Sequence, residues 1–282
     1  MADILFALED GRHKHKAAIG AHAFPGLEVT KLERNSVTQF QLAGREYTGK
    51  KLFVNNELVD LSSAETCNVS GSPVNLIASD GTDASASPSA STLYYAYMSN
   101  SQASYAASSL RLSATAPTDG YLASSGNGAH WRFVGAVYLD GSTQIAGDLN
   151  LCGWGVDTVI TYLGSGIVRS SGTVQYYDIL SLPGVVLLPG TELSIIAQVF
   201  GSQSVTQYLL TKIEENNTIV KGHSKQNPTA GQDVIAMHGF MKTSESIQQL
   251  QYDLDYFYYG GTTTTIFAGS VSTFLHLRRN TL

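Results

Sequence analysis

The stretch from Val174 to Phe200, VQYYDILSLPGVVLLPGTELSIIAQVF, restricts the possible folds more than any other part of the chain. Two Pro-Gly pairs, Pro183-Gly184 and Pro189-Gly190, stand between apolar runs. Proline presets the first turn position and glycine supplies positive φ at the next, so each pair predicts a chain reversal or sharp corner. Beyond the second pair, Leu193, Ile195, Ala197 and Val199 alternate with Glu192, Ser194, Ile196 and Gln198. A period of two marks a strand with one well-buried face. Five further strands follow, at Val205 to Ile213, Thr218 to Gly222, Val234 to Lys242, Leu250 to Tyr259 and Val271 to Leu277. The Thr-rich run Thr262 to Thr265 reads as a short strand or an exposed loop. The expected fold is all-β, and this part of it an antiparallel sandwich with a jelly-roll layout.

Composition narrows the function. Only 14% of residues are charged, against roughly 25% in typical soluble chains. The 15 tyrosines and the Ser- and Thr-rich loops suit contact with proteins or sugars more than a free-floating enzyme. A net charge of −6 gives no basic footprint for nucleic acid. Cys67 and Cys152 lie far apart without CxxC spacing, so two buried, reduced thiols are expected rather than a zinc site or disulfide framework. Ile4-Leu5-Phe6 is too short for the h-region of a signal peptide, and no apolar run reaches a membrane span. Synthesis and assembly in a cytoplasm, without membrane insertion, are the expectation.

Along the chain the pattern divides into three parts. Residues 1–60 read as a short N-terminal β arm for attachment. Its basic hexapeptide, Gly11 to Lys16, offers Arg12, His13, Lys14, His15 and Lys16 as attachment candidates. The His-Lys-His spacing with His22 resembles a metal site, but Lys14 and Lys16 disfavour a divalent ion. Within the arm, Val37, Gln39 and Gln41 alternate with Thr38, Phe40 and Leu42. Lys51 to Val54 and Leu58-Val59 flank a hairpin turn at Asn55-Asn56-Glu57. Residues 61–150 read as a middle β module, with strands at Val74 to Ala78, Thr92 to Met98, Leu110 to Ser113 and His130 to Leu139. In the last of these, Trp131, Phe133, Val137 and Leu139 fall on one face. Gly135 among them marks a place where another backbone approaches. His130 and Arg132 beside these aromatics could serve a ligand site, but a rim position on a half-buried strand is the plainer reading. Asp80 and Asp83 lack EF-hand spacing and read as a turn. Residues 151–282 form the third part.

These residues carry a resemblance. YYAYMSN followed by LRLSATAPTDGYLASSGNGAHWRFVGAVYLDGSTQI resembles a module of structural proteins in tailed bacteriophages. After Asp157, three features are similar to the trimeric C1q/TNF-like jelly roll that caps many phage fibres and head appendages. They are PGVVLLPGTELSIIAQV, the Tyr-rich strand near Leu250 to Tyr259, and the final FLHLRR. Together the stretches span about two-thirds of the chain by strand pattern, without a collagen-like or coiled-coil stalk. The resemblance implies a homotrimeric capsid-decoration or short-fibre protein in the virion, anchored to other virion proteins by its N-terminal part. Alternating Leu250, Tyr252, Leu254, Tyr256 and Tyr258 suit either a core edge or a subunit interface, and are the trimer-interface candidates.

Catalytic signatures are sparse. No GxSxG, P-loop, HExxH or dinucleotide fingerprint occurs, and no cofactor is expected. Asp253 and Asp255 alternate on one strand at ~6.6–7 Å, within the range of inverting glycosidases, though any D-x-D strand shares that spacing. A hydrated polar face is the plainer reading. His238 alternates with apolar Val234, Ala236 and Phe240, as an interior or interface histidine would. Three functions are therefore carried forward: a virion structural protein, not an enzyme; a receptor-binding tail protein recognising host surface glycans; and a polysaccharide depolymerase.

Overall fold

The structure, a computed structural model, describes residues 30–44, 51–61, 63–70, 75–105, 109–153, 157–163, 167–171, 175–203, 208–226, 231–258 and 262–279. The chain is all-β and divides into two compact units, Met1–Val156 with Asn280–Leu282, and Asp157–Arg279. Among the described residues, no helix is long and apolar enough to cross a membrane.

Among the described residues the first unit holds three antiparallel sheets. Strands β1 (Thr30–Ser36), β2 (Gln39–Gly44) and β5 (Glu65–Asn68) form one, in that order. Strands β3 (Lys51–Val54) and β4 (Glu57–Asp60) form a hairpin. Its turn, Asn55-Asn56, has φ of 39° and 66°, the left-handed pair that a two-residue hairpin loop demands. The hairpin buries Leu52, Val54, Val59 and Leu61. The third sheet orders β7 (Leu110–Ser113), β6 (Thr92–Ser99), β8 (Trp131–Leu139) and β9 (Leu151–Gly153). Of the strand expected at Val74 to Ala78, Val74 lies outside the described residues and Asn75 to Ala78 make no strand; isolated bridges join Leu76 to Leu112 and Ile77 to Asp83. Because β2 pairs with β5, the first sheet draws on both sides of the 60/61 boundary expected from the sequence.

Leu32 of β1 lies directly over β8 and β9. A Cβ on Gly135 would stand 2.9 Å from Leu32 Cδ2 and 2.5 Å from the Cys152 carbonyl oxygen. Gly135 is thus a point of close backbone approach, as its place among large residues implies. The shared face expected for Trp131, Phe133, Val137 and Leu139 is not observed. The register passes from Ala96↔Gly135 to Tyr97↔Phe133 and skips Val134. This bulge flips the alternation. Trp131 and Phe133 share a face with Tyr95 and Tyr97, whose rings lie 6.2 and 5.9 Å from that of Phe133. Val137 and Leu139 pair with Tyr94 and Thr92 and occupy the opposite face. Both faces of β8 are buried, so the bulge keeps every large side chain in apolar surroundings.

The second unit is the jelly roll. Its strands are β10 (Asp157–Leu163), β11 (Ile167–Ser171), β12 (Gln175–Leu187), β13 (Thr191–Gln203), β14 (Tyr208–Glu215), β15 (Thr218–Gln226), β16 (Gly231–Thr243), β17 (Gln248–Tyr258) and β18 (Thr262–Arg279). One sheet runs β10-β18-β13-β16, with β11 also on β18; the other runs β12-β17-β14-β15. Taking β10 and β11 as the first strand, the orders are 1-8-3-6 and 2-7-4-5, the eight-stranded double Greek key of a jelly roll. The run Thr262 to Thr265 is the start of β18.

The two Pro-Gly pairs behave differently. Leu188-Pro189-Gly190-Thr191 is a β-turn, closed by Thr191 N–H donating to Leu188 O at 3.0 Å, with Gly190 at φ 76°. Pro183-Gly184 does not reverse the chain. It is a bulge inside β12, where the register skips between Pro183 and Val185 and Gly184 adopts φ 93°. Strand β12 is an edge strand, where a missing N–H costs no ladder bond. Leu182, Val185, Val186, Leu187, Leu193, Ile195, Ile213, Leu250 and Leu254 are buried, each contributing about 1.5–3 kcal/mol relative to exposure.

Candidate functional site

The interior of the second unit accounts for much of the tyrosine strip. Leu250, Tyr252 and Leu254 are 5%, 1% and 4% exposed within the single chain. The Tyr252 ring packs at 5.8 Å on Phe240 of β16, in the other sheet. These three side chains are buried within the single chain. The side chains of Tyr256, Tyr258 and His238 lie outside the described residues. So do the attachment candidates Arg12, His13, Lys14, His15 and Lys16.

At the same end of the sandwich a polar link joins the sheets. Tyr252 Oη donates to Glu215 Oε2 at 2.6 Å, and Lys242 Nζ of β16 donates to Glu215 Oε1 at 2.6 Å. Burial, and then the Glu215 carboxylate, push the Tyr252 phenol upward, so it stays a donor. Nearby, Asn216 N–H donates to Gln251 O, while Gln251 N–H donates to Asn216 Oδ1, each at 2.9 Å. On the opposite face of β14, Lys212 pairs with Glu214. Asp253 is buried and accepts from Gln251 Nε2 at 2.8 Å. It is therefore not part of a hydrated face.

The apolar surface of this unit lies elsewhere. Ile196 on β13 and Met241 on β16 are 49% and 64% exposed. Met241 pairs with Ser194, two residues from Ile196, so both point away from the Phe240 and Ile195 side. Ser194, Thr243 and Glu192, which pairs with Thr243, lie on the same outer face.

In the first unit, polar side chains fasten the β3–β4 hairpin. Arg132, fully buried, donates through a guanidinium nitrogen to Phe53 O. Asn100 Nδ2 donates to Val54 O at 3.1 Å. Ser101 Oγ donates to Glu57 Oε2 at 2.6 Å. Asn55 N–H donates to Tyr121 Oη at 3.4 Å, and Asn55 Nδ2 lies 3.3 Å from His130 Nδ1. The sequence reading of Arg132 as a rim residue is corrected: it is an interior anchor whose charge is matched to backbone carbonyl. Sequence offers one signal for this, a cation between Trp131 and Phe133 in an otherwise apolar run.

Three protonation equilibria of the first unit are displaced upward by burial. Burial pushes the Cys67 thiol up to about 12, against the opposing charge of Arg111. Burial likewise raises the carboxyl of Glu65, again opposed by Arg111, and the phenol of Tyr97. All three hold their protons more tightly than in water. Cys67 and Cys152 are buried thiols outside any disulfide. Among the described residues no group of three or more His, Cys, Asp or Glu is placed to hold a metal ion.

No protein-family model matches the chain, and no curated protein matches it. Solved structures similar to it include latent dimeric PorU from Porphyromonas gingivalis, 10% identical with a TM-score of 0.29, covering 44% of this chain and 13% of that one. The infectious bursal disease virus Gx strain is 14% identical at TM-score 0.29, covering 68% and 59%. The VP2 subviral particle of that virus is 12% identical at 0.29, covering 67% and 56%. The chain thus spans less than two thirds of each, and a score of 0.29 does not establish a shared fold.

Proposed function

We propose that the chain is a non-catalytic structural component of a tailed-bacteriophage virion: a homotrimeric capsid-decoration or short-fibre protein, anchored through its N-terminal part. The observation that carries this reading is the 1-8-3-6 and 2-7-4-5 strand order of the second unit, the layout of jelly rolls, which serve in viral capsids among other roles. Fold does not by itself assign function; the charge-poor composition and the exposed apolar side chains of Ile196 and Met241 add support for contact between copies. With Leu250, Tyr252 and Leu254 committed to the core, the face that bears Ile196 and Met241 is the subunit contact. Antibody raised against the chain should label purified particles in immunoelectron microscopy; unlabelled particles would sink the virion role. Light-scattering chromatography at micromolar concentration should give a trimer for the wild type and a monomer for Ile196→Asp with Met241→Lys. A wild-type monomer would refute the assembly. Replacing Arg12, Lys14 and Lys16 together by Glu should leave the trimer intact and abolish incorporation into particles.

A further inference from the structure

The single-residue bulges of the second unit fall in one kind of place. Strands β12, β15 and β16 each end the order of their sheet, and each carries the extra residue in its ladder with an interior strand. Strand β12 skips Ile179 and Gly184 against an unbroken β17. Strand β15 skips Val220 where Ile213 and Glu214 of β14 meet Lys221 and Ile219. Strand β16 skips Ile235 where Val199 and Phe200 of β13 meet Ala236 and Val234. The remaining edge is divided between two separate strands, β10 and β11. Between interior strands, the β14–β17 ladder has no shift, and the β13–β18 ladder has one longer interruption, with residues 267–270 between Ile266 and Val271.

We infer that the sides of this jelly roll are closed to strand addition, so that no sheet continues from one copy of the chain into the next and copies meet through sheet faces or loop ends. A bulge bends its strand and increases its twist. On an outer strand it breaks the straight row of N–H and C=O groups that an incoming strand would pair with. On β12 the bulges leave only the runs 175–178, 180–183 and 185–187. In the middle run, Gln251 opposite Pro183 commits its N–H and C=O to Asn216, away from β12. Position 183 therefore directs its own backbone groups outward, and there proline supplies no donor. The longest unbroken run on an outer strand, residues 236–243 of β16, is guarded differently. Lys242 turns inward to Glu215 of the opposite sheet, yet its side chain keeps 26% of its exposure. A strand added beyond β16 would shut that ammonium off from water, a cost that one carboxylate does not offset. With only 14% of residues charged, backbone geometry takes over much of the protection that edge charges usually give. The inference concerns the folded unit alone and stands or falls separately from the virion role.

Two variants of the full chain open the β12 edge. Deleting Gly184 together with Pro183→Val removes the bulge and restores the donor. Pro183→Val alone restores the donor at an exposed position and keeps the register. Wild type and variants are followed over days by size-exclusion chromatography with light scattering and by thioflavin T fluorescence, with urea unfolding to show that each starts folded. The wild type should keep one elution position and stay dark. Both variants should shift to larger, thioflavin-positive species, the deletion further than the substitution. Adding Ser181→Lys, a charge at another exposed position of the same strand, should return either variant to the wild-type position, which association through unfolded chains would not do. Folded variants that keep the wild-type size overturn the inference. So does association that Ser181→Lys leaves unchanged, or a wild type that itself grows thioflavin-positive polymers. Should the deletion fail to fold, Pro183→Val decides alone: its association supports the closed edge, and its constancy refutes it.

Discussion

Replacing Gly135 by alanine tests the close approach of β1 to β8 and β9. The added Cβ would stand 2.5 Å from Cys152 O, 2.9 Å from Leu32 Cδ2 and 3.1 Å from Gly153 Cα, where ordinary contact begins at 3.4 Å. Leu32 can rotate aside, but the carbonyl belongs to β9, which pairs with β8 through Gly135↔Gly153 and Ala136↔Cys152. Relief therefore needs a shift of nearly an ångström that opens this ladder. Overpacking costs about 1–3 kcal/mol, and one or two weakened ladder bonds add about 1 kcal/mol each. The sum, about 2–5 kcal/mol, is a large share of the 5–15 kcal/mol typical of a domain. Urea unfolding followed by the fluorescence of buried Trp131 should show the loss as a lower midpoint. Gly141→Ala is the control, since its nearest neighbour, Ser91 Oγ, is 4.0 Å away. A Gly135→Ala midpoint within about 0.5 kcal/mol of wild type, or an equal loss at Gly141, would refute the reasoning.

Other outcomes follow from the same contacts. Tyr252→Phe removes a buried hydroxyl bonded to the Glu215 carboxylate and should cost about 1.5–3 kcal/mol, read by denaturation; a neutral result would mean the cross-sheet link contributes nothing. Arg132→Leu strips the donor from Phe53 O and should speed amide exchange in β3 and β4 ahead of β8, whereas unchanged protection would exclude an anchoring role. Because Cys67 titrates near 12 when folded and at 9.0 by its ordinary value, the folded state keeps a proton that the unfolded chain loses above that ordinary value. The contribution is full below about pH 9 and declines as pH rises toward 12, by about 1.4 kcal/mol per unit. Cys67→Ala should flatten that decline, and the wild-type thiol should resist alkylation at pH 8 until unfolded.

The second unit was legible from sequence where alternation and turn chemistry act locally. Leu193 and Ile195 face inward, Ile196 faces outward, and Pro189-Gly190 turns the chain, each for the reason the pattern supplies. Alternation failed where a bulge intervened. Neither the skip at Val134 nor that at Pro183-Gly184 leaves a local mark distinguishing it from a continuous strand or a corner, because a bulge depends on the partner strand. The tyrosine strip shows the same limit: a period of two says that Leu250, Tyr252 and Leu254 share a face, not which sheet covers it. Arg132 and Glu215 were missed because buried charge is legible only once the partners, Phe53 O in one case and Lys242 with Tyr252 in the other, have been brought together across the chain.

Strand β18 has a consequence for biosynthesis. It lies between β10 and β13 and also pairs with β11, and it follows every other described strand of its unit in the chain. On the ribosome, β13 and β10 wait with their inner edges unsatisfied until Arg279 clears the exit tunnel, so half of the sandwich cannot close during elongation. A nascent chain of this design presents open strand edges to its neighbours on the same messenger. Slow translation or early termination within residues 262–279 would therefore yield aggregates or mispaired chains rather than a shortened, functional unit.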